Sequence, residues 1–219
     1  MTGSTLWALA ALGVVPFVFM ATTSFVKLSF VFSILRNALG TGEVPSGMIV
    51  TALAGILTLY VMAPVGEQMV QACAPLSAQI DVADPLSSES APAVLECVGL
   101  AKEPLRAFLA RNAGESESKL FLDLARRARP ADKRDEVTAR DLLVVLPAFL
   151  ITELAEAFQI AFIVFLPFLV IDLVVANVLL SLGMAMLSPT SVALPFKLLL
   201  FVLVNGFYVL SEALVTGYT

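Results

Sequence analysis

The sequence predicts an all-α membrane-associated protein, with about four long hydrophobic helical elements, some of them broken, forming two hairpins, and a helical polar insert between the second and third. Two observations carry this. Hydrophobic residues make up 59% of the 219 positions and charged residues only 14%, with a mean hydropathy of +0.93, whereas about a quarter of a soluble domain is charged. The charge is also confined, since ten of the thirteen Lys and Arg and twelve of the eighteen Asp and Glu fall between Ala72 and Asp141. The expected organisation is an N-terminal hydrophobic hairpin over 1–71, a polar extracytoplasmic helical insert over 72–141, and a C-terminal hydrophobic hairpin over 142–219 with a Met-containing connector at 181–190.

The apolar runs extend from Leu6 to Leu35, Met48 to Met62, Leu142 to Leu180 and Leu194 to Leu210. A helix crosses a hydrocarbon core of about 30 Å with roughly 20 residues, so the first and third runs are too long. The third is expected to bend or divide at Pro147 or Pro167, or to project from the bilayer. The second is short and is expected to continue toward Val70. In the insert, Val94, Leu95 and Val98, then Leu120 and Leu124, recur at helical spacing, with "NAGES" as a break and Ser116 or Ser118 as N-caps. The stretch "SAQIDVADPLSSESAP" reads as a loop.

Orientation follows from the short connectors, where Lys and Arg favour the cytoplasm. Arg36 opens "RNALGTGEVPSG" and Lys197 closes "SPTSVALPFK", which puts both connectors inside and the insert and both termini outside. The absence of a basic stretch before Leu6 predicts that the first run is retained rather than cleaved. An outside location permits a disulfide between Cys73 and Cys97, with two free thiols as the alternative.

Catalysis has little to work with. The chain has no His, hence no histidine base and no His-containing metal cluster. It also has no Gly-rich phosphate loop of the GxxxxGK[ST] type. A Ser and Lys nucleophile built from Lys27 with Ser24 or Ser29 is a combination that any membrane helix with a few serines offers. No enzyme activity, cofactor, metal or nucleic-acid partner is expected. Ionisable residues within the apolar runs carry more information, because a charge at bilayer depth faces protein or water. They are Lys27, Glu67, Glu153, Glu156, Asp172, Lys197 and Glu212. Glu153, Glu156 and Gln159 lie three apart and form a polar stripe. As a proton or ion relay, that stripe makes the chain a small secondary transporter or ion channel. As helix or subunit contacts with Lys27 or Lys197 as counter-ions, it serves assembly, and this reading is preferred.

The segment 146–214, with "FQI", "PFLVIDLVVA", "SLGM" and "LPFKLLLFVLV" in order, resembles the FliP/SctR family of the type III export apparatus, and 23–64 is similar to its first hairpin. The lack of a signal peptide is similar to the virulence (injectisome) branch rather than the flagellar one. The resemblance implies a core pore-forming subunit of an export gate that conducts unfolded secreted proteins across the bacterial inner membrane. It implies a homo-oligomer, a pentamer, joined by FliQ/SctS-type and FliR/SctT-type subunits, with part of the body above the bilayer plane in the secretion base. It also implies that Met184 and Met186 form a pore gasket, that Gly183 and Pro189 shape its turn, and that Lys27, Glu153, Glu156, Gln159, Asp172 and Lys197 serve helix or subunit contacts. The family's frequent "MGMMM" appears here as "LGMAM", with Ala185 in the middle, and its common "VDGW" as "VNGF", with Asn205 in place of the acid.

Overall fold

A computed structural model describes residues 3–41, 45–80, 87, 90–184 and 186–218. Eight α-helices are found among them: α1 Gly3–Thr22, α2 Phe25–Leu39, α3 Gly47–Cys73, α4 Ala91–Asn112, α5 Glu115–Arg127, α6 Leu142–Ser181, α7 Pro189–Leu203 and α8 Gly206–Thr216. Short 3₁₀ turns occupy Ala74–Gln79 and Ala131–Lys133. No strand occurs among the described residues. The stretch from α3 through the following turn and the whole of α6 are long and apolar enough to cross a membrane, and up to four spans result if each bent pair of helices counts as one. By contact the chain falls into two units, Met1–Ser24 with Tyr60–Glu153, and Phe25–Leu59 with Leu154–Thr219. Polarity and contact thus divide the chain along different lines, since α3 and α6 each contribute to both units.

The first apolar run breaks after Thr22. The hydroxyls of Thr22 and Thr23 donate to the carbonyls of Val18 and Phe19, each at 2.7 Å. Such back-bonding competes with the helical ladder and commonly bends it. The second run reaches Cys73 as expected. The third behaves differently from expectation, because α6 runs through Pro147 and Pro167 as one helix of 40 residues. Each proline removes one i→i−4 bond from the ladder, and apolar surroundings penalise any further unmade backbone bond, so the helix continues past both. At about 1.5 Å per residue it is nearly twice as long as the hydrocarbon core is thick.

The fourth run, expected as one helix, is two. Asn205 adopts a left-handed backbone, φ 52° and ψ 49°, which Asn tolerates better than most residues with a side chain. The axes of α7 and α8 diverge there by 58°. Gly206 follows, because a Cβ at that position would overlap the Phe201 ring. The connectors shift too. Arg36 sits in the last turn of α2, where a cation complements the helix dipole, and Lys197 lies inside α7 rather than closing a loop, since Pro189 occupies the first helical position and starts the helix early.

In the first unit, Leu109, Val137, Val144, Val145, Ala148 and Phe149 are buried, and the Phe108 and Phe149 rings tilt together at 5.8 Å. Thr152 ties α6 to the α4–α5 junction by accepting the Gly114 N–H at 2.8 Å while donating to Ala148 at 2.9 Å. The N-cap of α5 is Gly114, not Ser116 or Ser118. Helix formation begins with Glu115 and Glu117 because acids in the first turn complement the dipole. Both carboxyls are held below their usual range, Glu115 by the hydrogen bond and charge of Lys119, and Glu117 by the Ser116 hydroxyl and then its own N–H.

The second unit has the main apolar core. One face of α2, Leu28, Val31, Phe32, Leu35 and Leu39, is buried against Val50, Ala54, Ala157, Phe168, Phe201, Leu210 and Leu214. The spacing of 3, 4 and 7 is that of a helical stripe. Within a bilayer, close packing rather than escape from water supplies the gain.

Candidate functional site

Two lysines are buried in the second unit, and each is held by an acid on α6. A buried ammonium loses several kcal/mol of hydration unless paired and hydrogen-bonded. Lys197 Nζ donates to Asp172 Oδ2 at 2.7 Å and to the carbonyl of Ala38 at 3.0 Å. The second acceptor belongs to the last turn of α2, where carbonyls lack intrahelical donors. The cation therefore answers both a carboxylate and the negative end of a helix dipole. Gly40, at φ +73°, closes that helix end, and a Cβ there would stand 3.8 Å from Lys197 Nζ.

Lys27 is the third residue of α2, close to the positive end of the dipole, where a cation is disfavoured. Its surroundings compensate. Nζ donates to Glu156 Oε2 at 2.6 Å and lies 4.3 Å from the centre of the Tyr218 ring, whose face attracts a cation. The lysine side chain is 6% exposed and that of Glu156 50%. The stripe read from sequence is thus distributed over different surroundings. Glu153 is fully buried, Glu156 is half exposed and paired with Lys27, and Gln159 is exposed. Of the hydroxyls considered beside Lys27, that of Ser29 donates to Val26 at 3.1 Å.

Because Glu156 holds Lys27 at a disfavoured helix end, Glu156→Ala should lower the thermal stability of the detergent-solubilised protein. The loss is expected toward the low end of about 3–5 kcal/mol, since the carboxylate is partly solvated. Gln159→Ala should leave it within about 0.5 kcal/mol, as surface substitutions do. Equal melting curves for the two variants would remove the ion pair from the stability of this unit.

The connector after α6 turns at Gly183, with φ +71°, a region glycine enters without steric cost. Leu182 N–H and Met184 N–H bond back to Val178 and Leu179 at 3.1 and 2.9 Å, closing the helix. Met184 is 46% exposed and Met186 fully exposed, so this chain covers about half of the first and none of the second. Ala185 lies outside the described residues. In the first unit, Cys73 and Cys97 are joined by a disulfide with Cα atoms 5.0 Å apart. The sequence reading missed Tyr218, which no local pattern marks, and the Ala38 carbonyl, which belongs to the backbone. It also missed the break at Asn205, although Asn-Gly is a turn signal.

A profile of the FliP family matches residues 8–214. The chain is 42% identical over 213 residues to the Yop proteins translocation protein R of Yersinia pestis, covering 96% of this chain and 93% of that protein. It is 40% identical over 209 residues to the hypersensitivity response secretion protein HrcR of Ralstonia nicotianae, covering 95% and 93% respectively. Over 209 residues it is 38% identical to the virulence protein YscR of Salmonella typhimurium, with the same coverage.

Proposed function

The chain belongs to the FliP family, and from that membership we propose that it is a type III secretion export-apparatus protein of the virulence branch, acting as a core pore-forming subunit of the gate. It conducts unfolded proteins across the bacterial inner membrane. The relatives' names, translocation, secretion and virulence protein, support the process. The observation that carries the pore is the half-exposed Met184 and fully exposed Met186 on a tight turn. In a ring of five copies the turn recurs around one axis and brings ten thioether side chains together. An unbranched, polarizable side chain adapts to irregular neighbours, so such a ring seals at rest and conforms around a passing polypeptide. A hydrophobic constriction also closes by dewetting.

The same assembly uses the apolar outer faces of α3 and α6, including Ile56, Leu59, Phe162, Ile163, Leu173 and Val174, all exposed in the single chain. Lipid covers some, and neighbouring copies with FliQ/SctS-type and FliR/SctT-type subunits cover the rest. An α6 longer than the bilayer suits a body that rises above the membrane plane. The test is a native mass measurement of the complex extracted in mild detergent. Five copies accompanied by two kinds of small hydrophobic subunit are expected. A monomer at every extraction condition, carrying solute transport by itself, would overturn the gate in favour of a transporter.

A further inference from the structure

We propose that Cys73 and Cys97 form an oxidation site whose closure holds the first helix of the polar insert. Cys73 is the last residue of α3 and Cys97 lies in the second turn of α4. Their bond therefore joins the end of a membrane-crossing helix to the start of the insert.

Little else secures that part of α4. Near its start Ser90 and Ala93 are buried, with Leu76 of the intervening 3₁₀ turn, and the next buried residues are Phe108 and Leu109, at the far end. Between them Leu95, Val98 and Leu100 are exposed. A covalent tie compensates where packing is sparse, because it removes conformations from the unfolded ensemble.

The chemistry needs an outside reagent. These are the only two cysteines in the chain, so no internal disulfide is available for exchange. Two thiols lose two protons and two electrons as the S–S bond forms. A protein disulfide accepts them and becomes a dithiol, by thiolate attack through a mixed disulfide. Both cysteines are partly exposed, and an open groove of about 490 Å³ lined by Met69, Val70, Cys73, Ala74, Ser77 and Ala101 reaches the bond. Disulfides persist in oxidising compartments such as the periplasm and are rare in the reducing cytosol.

The test uses the full chain in its native membrane, treated with a mass-adding maleimide before and after reduction under denaturing conditions. No adduct is expected without reduction, and two after it. Limited proteolysis of the detergent-extracted protein should then accelerate several-fold within 91–112 once the bond is reduced and capped, with other cleavages unchanged. Two adducts on unreduced protein would overturn the oxidation site. Unchanged proteolysis after verified reduction would overturn its hold on α4. Neither readout depends on whether the subunit forms a gate.

Discussion

Asp172→Ala should be the most damaging single substitution in the second unit, costing about 3–5 kcal/mol and depleting the membrane of folded protein. The size follows from which partner is left behind. Lys197 keeps a side chain only 4% exposed, whereas Asp172 is 35% exposed. Removing the acid strands an ammonium with just the Ala38 carbonyl as acceptor. Removing the base instead leaves a carboxylate on a side chain about a third exposed, although its Oδ1 is buried, so Lys197→Met should be milder without being neutral. The paired variant Asp172→Leu with Lys197→Met should recover much of the loss, because replacing both members of a buried pair with apolar side chains is often neutral. Thermal unfolding in detergent ranks the three. A paired variant as unstable as Asp172→Ala would show that the charges do more than neutralise each other.

Replacing Met184 and Met186 together with Ala should leave assembly intact and open an ion leak. Each substitution removes an unbranched side chain from an already exposed turn, so the fold of the single chain loses little packing. The ring proposed for the assembled gate would lose most of its apolar filling. Met186 is fully exposed and in the proposed ring would depend wholly on neighbouring copies for cover. Planar-bilayer or vesicle conductance of the purified complex should rise, while secretion persists or loses selectivity. Unchanged conductance in a verified, fully assembled double variant would return the methionines to ordinary packing.

What the sequence disclosed depended on whether a feature was local. The α3 and α6 helices and the two helices of the insert followed from hydrophobic runs and spacing, and Gly183 was legible as a turn. The break at Asn205 was written in an Asn-Gly pair but lay inside an apolar run that read as continuous. The break at Thr22 depended on hydroxyls turning back onto their own helix, which hydropathy does not register. The candidate contacts Lys27, Glu156, Asp172 and Lys197 were singled out by their cost in apolar surroundings, yet their pairing was not, because partners lie 129 and 25 residues apart. Surroundings also separated Glu153, Glu156 and Gln159, which spacing alone had joined. For Met184 and Met186 the proposed neighbours are other chains, and one sequence contains no record of them.

The distance between Lys27 and Glu156 sets an order of events during synthesis. The lysine emerges 129 residues before its acid, which at about 5–20 residues per second is a wait on the order of 10 s. For that interval α2 carries an ammonium at its disfavoured end without its Glu156 partner, which favours a position near the lipid headgroups where the amine reaches water. Seating α2 deeply becomes favourable once Glu156 arrives, and its other end is secured only when Lys197 follows, 159 residues after Ala38. The first hairpin of the nascent chain is therefore completed by the last third of the polypeptide.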